Sequence, residues 1–126
     1  MSLNNLFGQP ILPGSSTMHG DYEEPGPTRA EVDATRGVVV LDFGANWCGH
    51  CQGARPAIET AIDEYPSIQH IKVADGPGRP LGRSYRVKIW PTLIILKDGQ
   101  EVVRVVRPTD AADIRPSLAG AVTAGG

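Results

Sequence analysis

The apolar positions along the chain change period twice, and each change marks an element. Val38 to Phe43 is nearly continuously apolar and β-branched, the pattern of a strand buried on both faces, interrupted only by Asp42. From Cys51 onward Ala54, Ala57, Ile58, Ala61, Ile62 and Tyr65 recur at three- and four-residue spacing. Arg55, Glu59, Asp63 and Glu64 take the opposite face, which predicts an amphipathic helix of about four turns. Pro56 falls inside it, where a kink is expected, and Pro66 closes it. The period then returns to that of a strand over Ile68 to Ala74, carried by Ile68, Ile71 and Val73.

The loop from Asp75 to Pro80 leads to a short helix over Leu81 to Tyr85 and a strand over Thr92 to Leu96. Asp98-Gly99 is a two-residue hairpin signal, with Val102 to Val106 as the return strand. Asp110 caps a last helix presenting Ala111, Ile114, Leu118 and Val122, and Pro116 predicts a bend in it or a late start. Upstream, Thr28 to Thr35 reads as a short helix opened by a Thr28/Glu31 capping box and ended by Gly37. Residues 1–27 form an irregular extension, too rich in Gly and Pro for long elements, with Ile11-Leu12 as at most a short edge strand. The expected organisation is that extension, one domain over 28–122 and a tail over 123–126. Its class is α/β, a central mixed sheet with helices on both faces.

With 126 residues the chain suits one domain with a continuous core. A formal charge of −2 argues against nucleic-acid and membrane-surface partners. No apolar run approaches a membrane span, and no leader pattern opens the chain. A cytoplasmic, monomeric protein is therefore expected, or a periplasmic or exported one if a leader once stood ahead of residue 1. Two cysteines are too few for a disulfide-stapled scaffold.

Those two cysteines, Cys48 and Cys51, stand where the strand hands over to the helix. A Cys-x-x-Cys there reads first as a redox dithiol. At the helix N-terminus the Cys48 sulfur meets unpaired N–H groups and the positive end of the dipole, which favour a thiolate nucleophile. Cys51, one turn on, can close a disulfide with it. Zinc needs four ligands, and only His19, His50 and His70 are available to add, so no metal and no other cofactor is expected. His50, between the cysteines, is read as stabilising the Cys48 thiolate and making the disulfide a better oxidant. His19 and His70 have no spacing to any partner and read as surface or core filler. Asp42, costly in a buried strand, is placed to take the Cys51 proton, through water. Trp47 and Trp90 suit either a rim for a peptide or the core, and Pro91 alone reads as an ordinary trans proline at a strand start.

Together, Val40-Leu41-Asp42-Phe43, Ala45-Asn46-Trp47-Cys48-Gly49-His50-Cys51, Pro56, Tyr85-Arg86-Val87, Trp90-Pro91-Thr92-Leu93 and Lys97-Asp98-Gly99 resemble the thioredoxin family in order and spacing, from about residue 28 to 122. The resemblance implies the thioredoxin fold, with Cys48 as attacking thiolate, Cys51 as buried resolving thiol and Asp42 as buried acid. It also implies Pro91 as a cis-proline beside which the Trp90 backbone pairs with an extended substrate. Gly44 stands where thioredoxins have an aromatic residue, removing bulk beside the site. Gly49-His50 is the dipeptide of the disulfide isomerases, and Arg107 stands for a glycine near the substrate groove. The implied function is a thiol–disulfide oxidoreductase, foremost a reductase of protein disulfides served by a dithiol/disulfide donor or acceptor protein. An oxidase or isomerase, or a partner-binding module with incidental turnover, are the alternatives.

Overall fold

The mixed sheet arises because its central strand has two apolar faces to cover. The computed structural model describes residues 15–16, 21–22 and 26–123. Five strands, β1 (Ser15–Ser16), β2 (Val38–Gly44), β3 (Gln69–Ala74), β4 (Thr92–Lys97) and β5 (Gln100–Val106), lie in the order β1-β3-β2-β4-β5. β2 runs parallel to β3 and antiparallel to β4, while β4–β5 and β1–β3 are antiparallel. Successive side chains on a strand face opposite ways. Val39, Leu41 and Phe43 accordingly pack with Val32, Ile71 and Ile94 in one layer, and Val38 and Val40 with Ala54, Ile58 and Leu118 in the other. All of β2 is buried, as its apolar run predicts.

The helices are α1 (Arg29–Asp33), α2 (Gly49–Asp63), α3 (Pro80–Ser84) and α4 (Arg115–Thr123), with a 3₁₀ turn at Ala111–Asp113 ahead of α4. Val32 of α1 and Leu81 of α3 cover one sheet face; α2 and α4 cover the other. The capping box of α1 forms as read: Thr28 Oγ1 accepts from the Glu31 N–H at 3.1 Å, and Glu31 Oε1 from the Thr28 N–H at 2.9 Å. α2 carries Pro56 and ends at Asp63, three residues short of Pro66, on bonds from the Glu64 N–H to the Ala61 and Ile62 carbonyls. Pro116 produces the late start, because the 3₁₀ turn capped by Asp110 comes first and α4 begins one residue before the proline. The Asp98-Gly99 turn has positive φ at both positions, 51° and 83°, as a two-residue hairpin demands.

Upstream of α1, Ser15–Ser16 pairs with β3 at the sheet edge, and Tyr22 and Pro27 are buried. The Ile11-Leu12 strand expected there lies outside the described residues. Among the described residues no helix is long and apolar enough to cross a membrane.

Candidate active site

The chain leaves β2 at Gly44 and enters α2 five residues later, so the first turn of α2 stands over the end of the central strand. Cys48 is the N-cap of α2, in extended backbone at φ −79° and ψ 118°, and its Sγ accepts the Cys51 N–H at 3.3 Å. A sulfur thus does what a serine or aspartate oxygen usually does at a helix start, satisfying one of the unpaired donors. Both thiols are free. Cys51 is only 2% exposed, and burial, with the hydrogen bond to Cys48, pushes its thiol up to about 11; the Ala45 backbone and the Tyr22 hydroxyl pull the other way. Gly49 and His50 are exposed on the first turn, and a Cβ at residue 49 would meet open space, so sterics do not require that glycine.

Asp42 is buried beneath this turn, on the β2 face that α2 covers. Its two oxygens have different partners. Oδ1 accepts from the Tyr22 hydroxyl at 2.9 Å, and Oδ2 lies 2.9 Å from His70 Nε2. Against an ionised carboxylate, which only accepts, Nε2 is the donor in that pairing. His70 is therefore not filler: it is buried and bonded to Asp42, because the parallel register sets Val40 opposite His70 and Asp42 opposite Lys72. Lys72 is buried beside them with Nζ 4.6 Å from the centre of the Tyr22 ring; burial lowers its pKa, and the charge of Asp42 opposes that. The Tyr22 hydroxyl, bonded to Asp42, thus lies in the same neighbourhood of Gly44 as Cys51 Sγ.

Gly44 accounts for the presence of that tyrosine. A Cβ there would lie 2.6 Å from Cys51 Sγ, 2.6 Å from Tyr22 Cζ and 2.7 Å from its hydroxyl. Real side chains essentially never approach so closely, so the space vacated at residue 44 is filled by the ring of Tyr22.

The outer edge of the site is aromatic. Trp47 is 75% exposed, and its ring meets that of Trp90 edge-on at 5.5 Å, while Trp90 is itself half-buried against the cluster of Tyr22, Ala45, Cys48 and Cys51. Trp90 Nε1 donates to the buried carboxylate of Asp75 at 2.8 Å, which holds the indole in place. The Trp90–Pro91 peptide is cis, in place of the trans bond that the proline alone suggested. Arg107 has φ 50°, the left-handed region that suits a glycine, and its N–H donates to the Pro91 carbonyl at 2.8 Å. Its Nε donates to the Trp90 carbonyl at 2.9 Å. One acceptor position of the backbone expected to meet substrate is already engaged from within the chain. Among the described residues no cluster of three or more His, Cys, Asp or Glu is arranged to hold a metal ion.

A family model described as Thioredoxin matches residues 27–119. The chain belongs to the thioredoxin family. It is 44% identical over 71 residues to a thioredoxin of Chlamydia trachomatis, covering 56% of this chain and 69% of that one. To an H-type thioredoxin of Fagopyrum esculentum it is 35% identical over 69 residues, covering 55% of this chain and 60% of the relative. The aligned part therefore spans about three fifths to two thirds of these curated relatives. Among solved structures, thioredoxin 2 from Pseudomonas aeruginosa in its reduced form superposes with a TM-score of 0.76 at 45% identity, over 86% of this chain and all of that one. Thioredoxins are thiol–disulfide oxidoreductases, and this chain has the dithiol of that chemistry in Cys48 and Cys51.

Within the thioredoxin frame, sequence reasoning passed over four residues at the site: Tyr22, His70, Lys72 and Asp75. His70 and Lys72 carried a signal, since they alternate with Ile71 and Val73 and must share the face opposite to those apolar residues. Tyr22 carried none of its own in its Gly- and Pro-rich surroundings. The indirect signal was Gly44, where a missing side chain had to be replaced by something.

Proposed function

We propose that the protein reduces disulfides of client proteins through Cys48 and Cys51. Cys48 attacks one sulfur of the client disulfide, forming a mixed disulfide and releasing one client thiolate. Cys51 then attacks Cys48 Sγ; the Cys48–Cys51 bond forms, the mixed disulfide breaks and the second client thiolate leaves. Two electrons pass from the dithiol to the client, and a dithiol donor protein returns them. The observation that carries this reading is the pairing of an N-capping sulfur, Cys48 at 8% exposure, with a more deeply buried one, Cys51 at 2%, a turn behind it. The outer thiol meets the client, and the inner thiol meets only the outer one. Asp42 is the proton acceptor for Cys51 in this scheme, and no cofactor is needed beyond the two sulfurs.

Trp47 and Trp90 give an extended client segment an apolar shelf, and the Trp90 backbone beside Pro91 gives it hydrogen bonds, with Arg107 competing for the carbonyl. His50, exposed between the cysteines, favours a second reading, an oxidase or isomerase, because an imidazole that stabilises the Cys48 thiolate favours the reduced form. The Cys48–Cys51 potential measured against glutathione separates the two. A value more reducing than the glutathione pool is expected, and a more oxidising one overturns the reductase direction. Insulin reduction by Cys48→Ala at the parent rate would remove this site from catalysis altogether.

A further inference from the structure

Tyr22 comes from outside the span matched by the family model, yet it is held at the centre of the site. The Asn46 side chain clamps its backbone from both sides: Oδ1 accepts the Tyr22 N–H at 2.9 Å, and Nδ2 donates to the Tyr22 carbonyl at 3.2 Å. The preceding Asp21 pairs with Arg55 of α2 at 3.3 Å. These contacts set the phenol between β2, β3 and α2, where it faces Asp42, Lys72 and Cys51, with His70 behind Asp42. The hydroxyl and Cys51 Sγ border the same small volume left open at Gly44, while the hydroxyl donates its hydrogen to Asp42.

We propose that Tyr22 is a catalytic residue, its hydroxyl passing the proton of Cys51 to Asp42 as Cys51 attacks the mixed disulfide. The inference rests on the reaction proposed above. As the Cys51 S–H proton moves to the Tyr22 oxygen, the Tyr22 O–H proton moves to Asp42 Oδ1. Cys51 emerges as thiolate, Tyr22 as an unchanged phenol and Asp42 as the neutral acid. The thiolate bonds to Cys48 Sγ, the Cys48–client bond breaks, and the departing client thiolate is the final proton acceptor. Tyr22 suits the task because burial, and then the charge of Asp42, hold it far above the ordinary phenol range, so it hands protons on without itself ionising. Thioredoxin-like chemistry with Gly44 in place of an aromatic residue thus has a hydroxyl where a bulky ring would leave no room.

The two thiols can be timed separately with the aromatic disulfide dithionitrobenzoate under stopped flow. The first nitrothiolate release reports attack by Cys48 and depends on reagent concentration; the second reports resolution by Cys51 and does not. Tyr22→Phe keeps the ring under Lys72. It is expected to leave the first release within about twofold of the parent, to slow the second at least about tenfold at neutral pH, and to displace its rise with pH upward. Added to Asp42→Asn it should slow the second release no further, because a relay without its acceptor has nothing left to lose. A fluorinated tyrosine at position 22, which retains ring and hydroxyl but is more acidic, should shift that pH profile even if Tyr22→Phe folds poorly. Parent rates and parent pH profiles in the phenylalanine or the fluorotyrosine protein overturn the relay. Absence of any first release from the parent overturns the thiol–disulfide reading beneath it.

Discussion

His70 Nε2 and Asp42 Oδ2 lie 2.9 Å apart in a buried part of the sheet, each 2% exposed at its side chain. Two neighbouring strands thus bring a base and an acid together on the face beneath the dithiol. Removing the imidazole leaves a buried carboxylate oxygen short of a donor, which costs on the order of 1–3 kcal/mol. His70→Leu is expected to lower stability by that amount, and His70→Gln, which keeps a donor, by less. Urea denaturation of the three proteins checks the order. Equal midpoints for Leu and the parent would mean that Asp42 does not depend on His70.

The raised Cys51 thiol has a consequence for pH. Its value in the folded protein, about 11, exceeds the ordinary 9.0, so the folded state holds this proton more tightly than the unfolded chain does. The associated stability is fully present below about pH 9 and is lost as pH rises towards about 11. Comparing reduced parent with reduced Cys51→Ala cancels the other alkaline titrations. The parent should lose its stability difference over the alanine protein across that interval. A constant difference would mean that Cys51 titrates at its ordinary value.

Arg107 combines a left-handed backbone with a hydrogen bond to the Trp90 carbonyl. Arg107→Gly relieves a conformational cost of about 1–2 kcal/mol and loses a surface hydrogen bond worth about 0.5–1.5 kcal/mol. Stability should therefore stay within about 1 kcal/mol of the parent. If the freed carbonyl serves the client, KM for a protein disulfide falls while kcat changes little. An unchanged or higher KM would mean that Arg107 does not compete with the client. Steady-state insulin reduction gives both constants.

Much of this arrangement was legible in the chain because it depends on local rules. The switch of apolar period at Cys51 marked the strand-to-helix junction, Thr28 and Glu31 marked a helix start, and Asp98-Gly99 marked the hairpin, each through interactions within a few residues. The dithiol was legible for the same reason, since Cys48 and Cys51 sit one turn apart on one helix. Pro91 is the opposite case. Taken alone it suggested a trans bond, and only the comparison with a known pattern pointed to the cis bond that the chain has.

By itself, then, the sequence determined the elements, their order and the place of the two thiols, because period, capping and turn chemistry act over short distances. Tertiary structure alone decided what surrounds those thiols. Strand register set His70 and Lys72 on the Asp42 face, 28 and 30 residues away along the chain. A glycine at 44 left a volume that a tyrosine 22 residues upstream came to fill. Buried polar groups require partners and buried space requires filling, and neither demand says which distant residue will meet it.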